Sequence, residues 1–442
     1  MTPALPSSLP RSLSAAALAL PLVLLAGCAG AGASANAPIG GPSPSARVAS
    51  PAPAEVPGAA PRLVVTYDGG IQVLDATTLA PVADIPHAGF IRVSPAGDGR
   101  HVVVSSAGEF RMLDAGTWSE GHGDHAHHFT AAPTLTQVAL PAQTPGHAVA
   151  HGGRIAFFDD GTGEVRVVDA ADVAGKARTH TTPSAHHGVA VELSDGTLVV
   201  SEGTKDARTG IRVLGADGEQ VASSDDCPGV HGEAVAADEA VLIGCEDGVL
   251  VYRDGAITKV NSPDAYGRIG NQAGTDASTI VLGDYKSDPH AELERPTRVS
   301  LTDTRTGELT LVDLPASYTF RSLARGAEGE ALVLGTDGNL HVLVPEAGTI
   351  VRSIPVIDAW EEPAEWQEPR PALVVLEGVA YVTDPMTKEI HAVDVAQGAV
   401  MRTAQLTVAP SEIAGASGGL AAEVVGRGGA RHDDHHGDGH DH

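Results

Sequence analysis

The chain has 442 residues, of which 28 are Lys or Arg and 56 are Asp or Glu, so its formal net charge is −28 with neutral His. This charge argues against nucleic-acid phosphates and anionic membrane surfaces as partners and favours cations. The 52 Gly and 30 Pro residues require many turns and make long helices improbable. Against this acidic background stand 20 His, the side chain that most often ligates metals in proteins.

The first 27 residues have the pattern of an export signal. Arg11 precedes an apolar segment, Leu13 to Ala26, that is too short to span a bilayer. Leu25-Ala26-Gly27-Cys28 resembles the lipobox of bacterial lipoproteins. This resemblance implies cleavage before Cys28 and a lipid on its sulfur, with the protein held outside the cytoplasmic membrane by that anchor alone. A plain secreted protein is the alternative.

Residues 28–61 are rich in Ala, Gly, Ser and Pro. Such a composition cannot bury enough apolar surface to fold, so we expect a flexible tether. No later stretch of the sequence is long and apolar enough to be a membrane span.

From residue 62 to residue 420 the sequence repeats short apolar runs with period two, separated by turns and often ending in Asp. Examples are residues 63–75, 154–169 and 380–394. Eight units over this length give about 45 residues each, within the range of about 40–50 for a four-stranded propeller blade. The sequence therefore predicts an all-β fold, a β-propeller with eight blades favoured and seven possible.

The two ends of the repeat region are expected to share one blade. Residues 63–86 supply three strands, and a strand from about Ser411 to Ser417 supplies the fourth. This arrangement closes the ring and removes free sheet edges. The segments ending in Val-Thr-Asp resemble YVTN-type and WD-like propellers, a similarity that implies the fold and not the function.

Three consecutive units begin with a His in the same register: His147, His187 and His231. In a propeller, the segment entering the first strand of each blade lies at one mouth of the central channel. We therefore expect the three imidazoles to converge there. Three imidazoles and one oxygen ligand form a tetrahedral zinc set, and the chain's four Met and lack of a free thiol pair make a Cu(I) site improbable.

The second strand of each of these three units ends in an acid, and these acids are candidate fourth ligands: Asp160, Glu202 and Glu246. Each could instead be a turn residue. His186 could replace His187 as the inward residue, because a shift of one residue reverses the facing of a strand. A satisfied core or surface His is the alternative for any single position.

Cys227 and Cys245 are the two Cys residues that follow the lipobox. In an oxidising compartment such a pair predicts a disulfide, with a metal pair as the second interpretation. The bridge would brace the loop that carries His231.

A second group of His lies between the strands near Phe110 and Leu135. Its candidate metal ligands are His122, Asp124, His125, His127 and His128. We expect a flexible metal-capture arm without a preorganised pocket, at the ring face opposite the three-His site. A solvated loop without metal is the alternative.

The tail, residues 421–442, is expected to be disordered and to act as a second capture arm. Its His are His432, His435, His436, His440 and His442. Interspersed Asp and Gly distinguish it from a plain His run, although an expression tag is the alternative. Both arms would bind metal weakly, and less so as pH falls.

These features together resemble the extracytoplasmic zinc metallochaperones called AztD. The resemblance rests on the propeller, the His147, His187 and His231 register, the His122–His128 segment and Cys227-Pro-Gly-Val-His231. It implies a folded zinc site, a His-rich loop that takes part in transfer, and delivery of Zn(II) to the solute-binding protein of a zinc ABC transporter. The lipobox and the His/Asp tail depart from a simple soluble form.

The expected function is thus a monomeric zinc carrier without catalytic residues. One rival is a metal-dependent hydrolase, with Glu202 or Glu246 as general base. Another is a protein-interaction scaffold that binds no metal. No Gly-rich phosphate loop occurs in the sequence.

Overall fold

The computed structural model describes residues 52–420. This part contains β-strands throughout and one short 3₁₀ helix, Ala237–Glu239. Within it, no helix has the length and apolar character of a membrane span. The predicted signal, Cys28 and the His/Asp tail lie outside the described residues.

The first half of the described chain contains eighteen strands. They are β1 (Ala54–Val56), β2 (Arg62–Tyr67), β3 (Gly70–Asp75), β4 (Pro81–Pro86), β5 (Arg92–Pro95), β6 (His101–Ser106), β7 (Glu109–Asp114), β8 (Thr117–His122), β9 (His125–Thr130), β10 (Thr134–Pro141), β11 (Pro145–His151), β12 (Arg154–Asp159), β13 (Glu164–Asp169), β14 (Arg178–Thr181), β15 (Ala190–Glu192), β16 (Leu198–Gly203), β17 (Arg208–Leu214) and β18 (Gln220–Ser224).

The second half continues the same pattern. Its strands are β19 (Glu233–Ala236), β20 (Ala240–Cys245), β21 (Asp247–Arg253), β22 (Ala256–Asn261), β23 (Gly267–Arg268), β24 (Gln272–Thr275), β25 (Ser278–Asp284), β26 (Arg298–Asp303), β27 (Leu309–Asp313), β28 (Leu323–Arg325), β29 (Ala331–Leu334), β30 (Asn339–Val344), β31 (Thr349–Pro355), β32 (Ala372–Leu376), β33 (Val379–Asp384), β34 (Glu389–Asp394), β35 (Ala399–Gln405) and β36 (Ile413–Ala416).

Most of these strands belong to eight sheets whose four main strands are antiparallel neighbours. The strand orders are β36-β2-β3-β4, β10-β7-β6-β5, β11-β12-β13-β14, β15-β16-β17-β18, β19-β20-β21-β22, β24-β25-β26-β27, β28-β29-β30-β31 and β32-β33-β34-β35. The short β23 pairs in parallel with β21. The predicted closure is confirmed, because β36 from the end of the chain pairs with β2 near its beginning.

The sheets form a closed ring because an apolar cluster fills each gap between neighbours. Leu63 and Leu74 pack with Tyr381 on one side of the closing sheet, and Val64 packs with Val102 on the other. The first strands of neighbouring sheets contact one another around the ring axis. The predicted all-β propeller is thus confirmed. The alternation of the apolar residues explains it, since each sheet must bury both of its faces.

The His-rich segment differs from the expected flexible arm. It forms a hairpin of β8 and β9, and β1 adds to the free edge of β9. The two-residue turn begins with Gly123 at a φ of 63°, which suits a tight hairpin turn. Trp118 stacks on Phe129 with 5.5 Å between ring centroids and stabilises the pair. Ala54–Val56 therefore forms a strand inside the range expected to be tether.

Candidate metal centre

Three imidazoles converge at one mouth of the ring. His147 lies in β11, the first strand of its sheet, while His187 and His231 lie in the segments that enter β15 and β19. Their ring centroids are 5.2 Å apart for His147–His187, 5.9 Å for His147–His231 and 5.2 Å for His187–His231. One nitrogen from each ring lies within 4.8 Å of the other two. The three adjacent sheets thus deliver three donors to one point.

Each of the three rings has an acceptor at Nδ1. The contacts are His147 to Glu233 Oε1 at 3.4 Å, His187 to Asp160 Oδ2 at 2.6 Å, and His231 to the Gly270 carbonyl oxygen at 2.6 Å. An imidazole that donates from Nδ1 keeps its lone pair at Nε2. This pattern is typical of metal-ligating His, whose second nitrogen is oriented by a carboxylate or a carbonyl.

The surroundings shift the pKa values of His147 and His231 in opposite directions. Burial, together with the neighbouring His147, lowers the pKa of His231 to about 3. For His147, burial acts to lower the pKa, but the Glu233 carboxylate outweighs it and the pKa is raised. His231 is therefore a neutral donor at physiological pH, as metal binding requires.

The backbone near His231 needs a glycine. Gly232 has a φ of 74°, and a Cβ at this position would lie 2.4 Å from the Gly270 carbonyl oxygen. Gly232 therefore permits the close approach that lets the same carbonyl accept from His231.

The three acids predicted as fourth ligands lie elsewhere. Asp160 contacts Nδ1 of His187 and leaves Nε2 as the free nitrogen of that ring. Glu202 lies 4.0 Å from Arg212, and Glu246 packs against Gly229. Within residues 52–420, no carboxylate oxygen joins the three nitrogens. Asp160 orients His187, and the neighbouring Asp159 is a turn residue that accepts from the backbone N–H groups of Gln143 and Thr144.

His186 does not replace His187. Its side chain is buried, with Nδ1 at 2.9 Å from the Ser184 carbonyl oxygen and Nε2 at 3.0 Å from Ser201 Oγ. Both nitrogens are therefore engaged in the wall of the blade. The structure places His187, one residue on, in the cluster.

The predicted disulfide between Cys227 and Cys245 is present. Both residues are fully buried, and the bridge joins the segment before His231 to the end of β20. The backbone N–H of His231 also donates to the Gly244 carbonyl, beside Cys245. The bridge and this hydrogen bond together tie the His231 segment to its own sheet.

The hairpin holds a second cluster of His. His122, His125 and His127 each place one nitrogen within 4.8 Å of the others, on an exposed surface. His127 Nδ1 lies 2.7 Å from Glu55 of β1. His128 is directed differently, because neighbours in a strand face opposite sides, and its Nδ1 lies 2.6 Å from Ser119 Oγ. Asp124 contacts His125 at 3.2 Å and is fully exposed.

The hairpin lies in the connection between β7 and β10, the third and fourth strands of a four-stranded sheet. The first cluster instead lies where the chain enters the first strands of three other sheets. In an antiparallel sheet these connections lie at opposite ends. The hairpin also contacts the end of β36 through Ser119, whose hydroxyl donates to the Gly418 carbonyl. The two His clusters are therefore on opposite faces of the ring, as predicted.

Sequence reasoning missed two groups that orient the first cluster. Glu233 lies two residues after His231, and the period of two gives it the facing that the cluster needs. That signal could have identified it. The Gly270 acceptor is a backbone carbonyl from the next sheet, for which no side-chain pattern exists.

Comparison with known proteins supports the resemblance to AztD. The chain is 28% identical over 386 residues to the zinc chaperone AztD of Citrobacter koseri, covering 83% of this chain and 88% of that protein. The crystal structure of the same AztD has a TM-score of 0.70 at 26% identity, covering 81% of this chain and 98% of the solved one. No protein-family model matches the chain.

A more distant solved structure shares the fold alone. It is the dihydro-haem d1 dehydrogenase NirN in complex with DHE, with a TM-score of 0.51 at 13% identity, covering 81% of this chain and 75% of that one. The resemblance to AztD that the sequence predicted is thus confirmed, and the propeller is shared more widely.

Proposed function

We propose that this protein is a zinc chaperone that holds Zn(II) at the His147, His187 and His231 cluster. The observation that carries the proposal is the shared orientation of these rings, with every Nδ1 engaged and three nitrogens within 4.8 Å. Similarity to the zinc chaperone AztD over most of the chain agrees with it.

The cluster is open enough for uptake and release. A tetrahedral zinc ion with bonds of about 2.0–2.1 Å places neighbouring nitrogens about 3.3 Å apart. The nitrogens must therefore approach one another by at most about 1.5 Å on binding, which small side-chain rotations supply. Three protein ligands leave the fourth coordination position for an exchanging group, as carriers require.

Transfer would proceed by ligand exchange. A donor atom of the acceptor protein enters the fourth position, and the His ligands then leave one at a time. We assign the solute-binding protein of a zinc ABC transporter as the acceptor and a monomer as the working form.

The exposed hairpin cluster collects zinc before storage. His122, His125 and His127 are accessible and lie on the opposite face, so they cannot share an ion with the first cluster. The His/Asp tail would add further weak sites. Lipidation at Cys28 would keep the protein outside the cytoplasmic membrane, next to the transporter.

A zinc titration of the mature protein tests the proposal. In competition with a chromophoric chelator, His187→Ala is expected to lose tight binding, whereas His290→Ala, at an exposed residue away from both clusters, retains it. Zinc-loaded protein mixed with the purified solute-binding protein is expected to transfer its metal. Unchanged tight stoichiometry in His187→Ala would contradict the assigned site, and zinc-dependent ester or phosphate hydrolysis would favour the hydrolase.

A further inference from the structure

A cavity of about 530 Å³ opens beside the first His cluster. Its lining includes His147, His187 and Glu233, and also an exposed aromatic pair, Phe90 and Trp366. The two aromatic rings meet edge to face with 5.0 Å between centroids. A single metal ion fills only a small part of this volume, which is within the range of small-molecule sites.

One wall of the cavity carries positive charge in an otherwise acidic chain. Arg92 lines the cavity and uses Nε to contact Glu412 at 3.1 Å. The same Glu412 oxygen also accepts from Arg321 at 2.9 Å. Two guanidinium groups thus share one carboxylate, so the group of Arg92, Arg321 and Glu412 carries a net charge of about +1. Among the described residues, the terminal nitrogens of Arg92 have no hydrogen-bond partner.

The wall also presents hydroxyl groups that the protein does not use. Ser94, Ser105, Ser106 and Thr144 line the cavity. In residues 52–420 none of their side-chain oxygens takes part in a hydrogen bond with the protein. Ser94 and Ser106 are half-buried and Ser105 is buried, so their hydroxyls are free to hydrogen-bond with a polar ligand in the cavity.

The protein's own carboxylates cannot take the place of such a ligand. Asp160 and Glu233 line the cavity, but both are turned to the Nδ1 atoms of the imidazoles. Three neutral imidazoles leave a bound zinc ion with its full positive charge and an open position. Both the open position and the free guanidinium therefore favour an anion.

We infer that this cavity binds a carboxylate-bearing ligand that bridges the zinc position at His147 and His187 and the guanidinium of Arg92. Carboxylate oxygen is a normal zinc ligand and matches the planar fork of arginine. The aromatic pair gives the apolar body of the ligand a surface to pack on. The zinc half of this bridge rests on the proposed function, whereas the Arg92 half does not.

Succinate is a suitable probe because it carries two carboxylates and chelates zinc weakly. The test follows tryptophan fluorescence of the mature protein, with Trp366→Phe identifying the signal from the cavity. We expect saturable binding to the metal-free protein and tighter binding to the zinc-loaded protein. Arg92→Gln should raise the succinate Kd about tenfold or more, while Arg305→Gln, an exposed arginine of another sheet, should leave it unchanged.

Neutral succinamide and a blocked Gly-Glu-Gly peptide complete the experiment. Tighter binding of the peptide than of succinate identifies a protein side chain as the source of the carboxylate, and the reverse identifies a free dicarboxylate. The inference is overturned if neither carboxylate binds in either metal state, if succinamide binds equally well, or if Arg92→Gln leaves binding intact.

Two controls separate other failures. If zinc does not bind at the His cluster but succinate binds in an Arg92-dependent way, the proposed function fails and the anion site stands. Should Arg92→Gln unfold, as thermal unfolding would show, Ser106→Ala provides the second variant. Ser106→Ala should weaken succinate binding, and unchanged binding there overturns the inference.

Discussion

The Asp160 carboxylate and the His187 imidazole form a hydrogen-bonded pair with 2.6 Å between Oδ2 and Nδ1. The other oxygen of Asp160 accepts from the backbone N–H of Gly188 at 3.2 Å. One carboxylate therefore fixes both the ring and the backbone of the same segment. Because Asp160 engages Nδ1, Nε2 is the nitrogen of His187 that is left free to act as a donor.

Asp160→Asn is expected to weaken zinc binding about 10–100-fold, because the ring loses its charged acceptor and part of its basicity. Competition titration measures the change. Glu202→Gln and Glu246→Gln are the matched controls, since both acids lie off the cluster, and each should leave zinc affinity within about twofold of wild type. A large loss in either control would restore it as a ligand and contradict the assignment of Asp160.

Removal of the disulfide tests whether the bridge positions His231. Cys227→Ala with Cys245→Ala should lower the free energy of unfolding by about 2–4 kcal/mol and should also weaken zinc binding. Leu332→Ala removes a fully buried side chain on a distant sheet and costs a similar 2–5 kcal/mol. Urea unfolding and zinc titration of both variants provide the measurement. Equal zinc affinities in the two variants would show that the bridge serves stability alone.

The hairpin should bind one zinc ion independently of the first cluster. Replacing His122, His125 and His127 by Ala should remove one weak equivalent from the titration and leave the tight one intact. His128→Ala is the matched control, because His128 faces Ser119. Loss of the weak equivalent in His128→Ala, or loss of the tight one in the triple variant, would be inconsistent with two separate sites.

The sequence predicted the fold and the three imidazoles for the same reason. A repeat with period-two strands places equivalent positions of successive units on one circle, so His147, His187 and His231 had to converge once the register was right. The orientation of the three imidazole rings could not be predicted in this way. It depends on long-range contacts such as the Gly270 carbonyl of the next sheet, which no local pattern encodes.

The hairpin shows a second limit. His and Gly do not favour strands, and the strand that pairs with β9 comes from an Ala- and Pro-rich segment far away in the sequence. Trp118 and Phe129, placed symmetrically about Gly123-Asp124, were the available signal. The His- and Gly-rich composition of the segment predicted a flexible loop instead of this hairpin.

A carboxylate at the opposite face of the ring links the three sheets that carry the first cluster. Glu239, which follows β19, accepts from His151 Nε2 of β11 at 2.8 Å. It also accepts from the backbone N–H and hydroxyl of Ser194, which follows β15, at 3.0 and 2.6 Å. Burial acts to raise the pKa of Glu239, but these contacts with Ser194 and His151 outweigh it and hold the pKa below its ordinary value of 4.5.

This link predicts a specific loss of stability in acid. Because the folded-state pKa of Glu239 is below the unfolded value, its stabilisation is complete above pH 4.5 and is lost as pH falls through the folded-state value. Glu239→Gln should cost about 1 kcal/mol at pH 7 and nothing below the folded-state pKa, since hydrogen bonds to a partly exposed charge are modest. Urea unfolding from pH 7 to pH 3 measures this, with Glu219→Gln, at an exposed turn, as the control. His147 and His151 are about 13 Å apart along β11, so zinc affinity at pH 7 should remain within about twofold. A zinc affinity that fell together with stability would mean that the Glu239 link and the metal site form one cooperative unit.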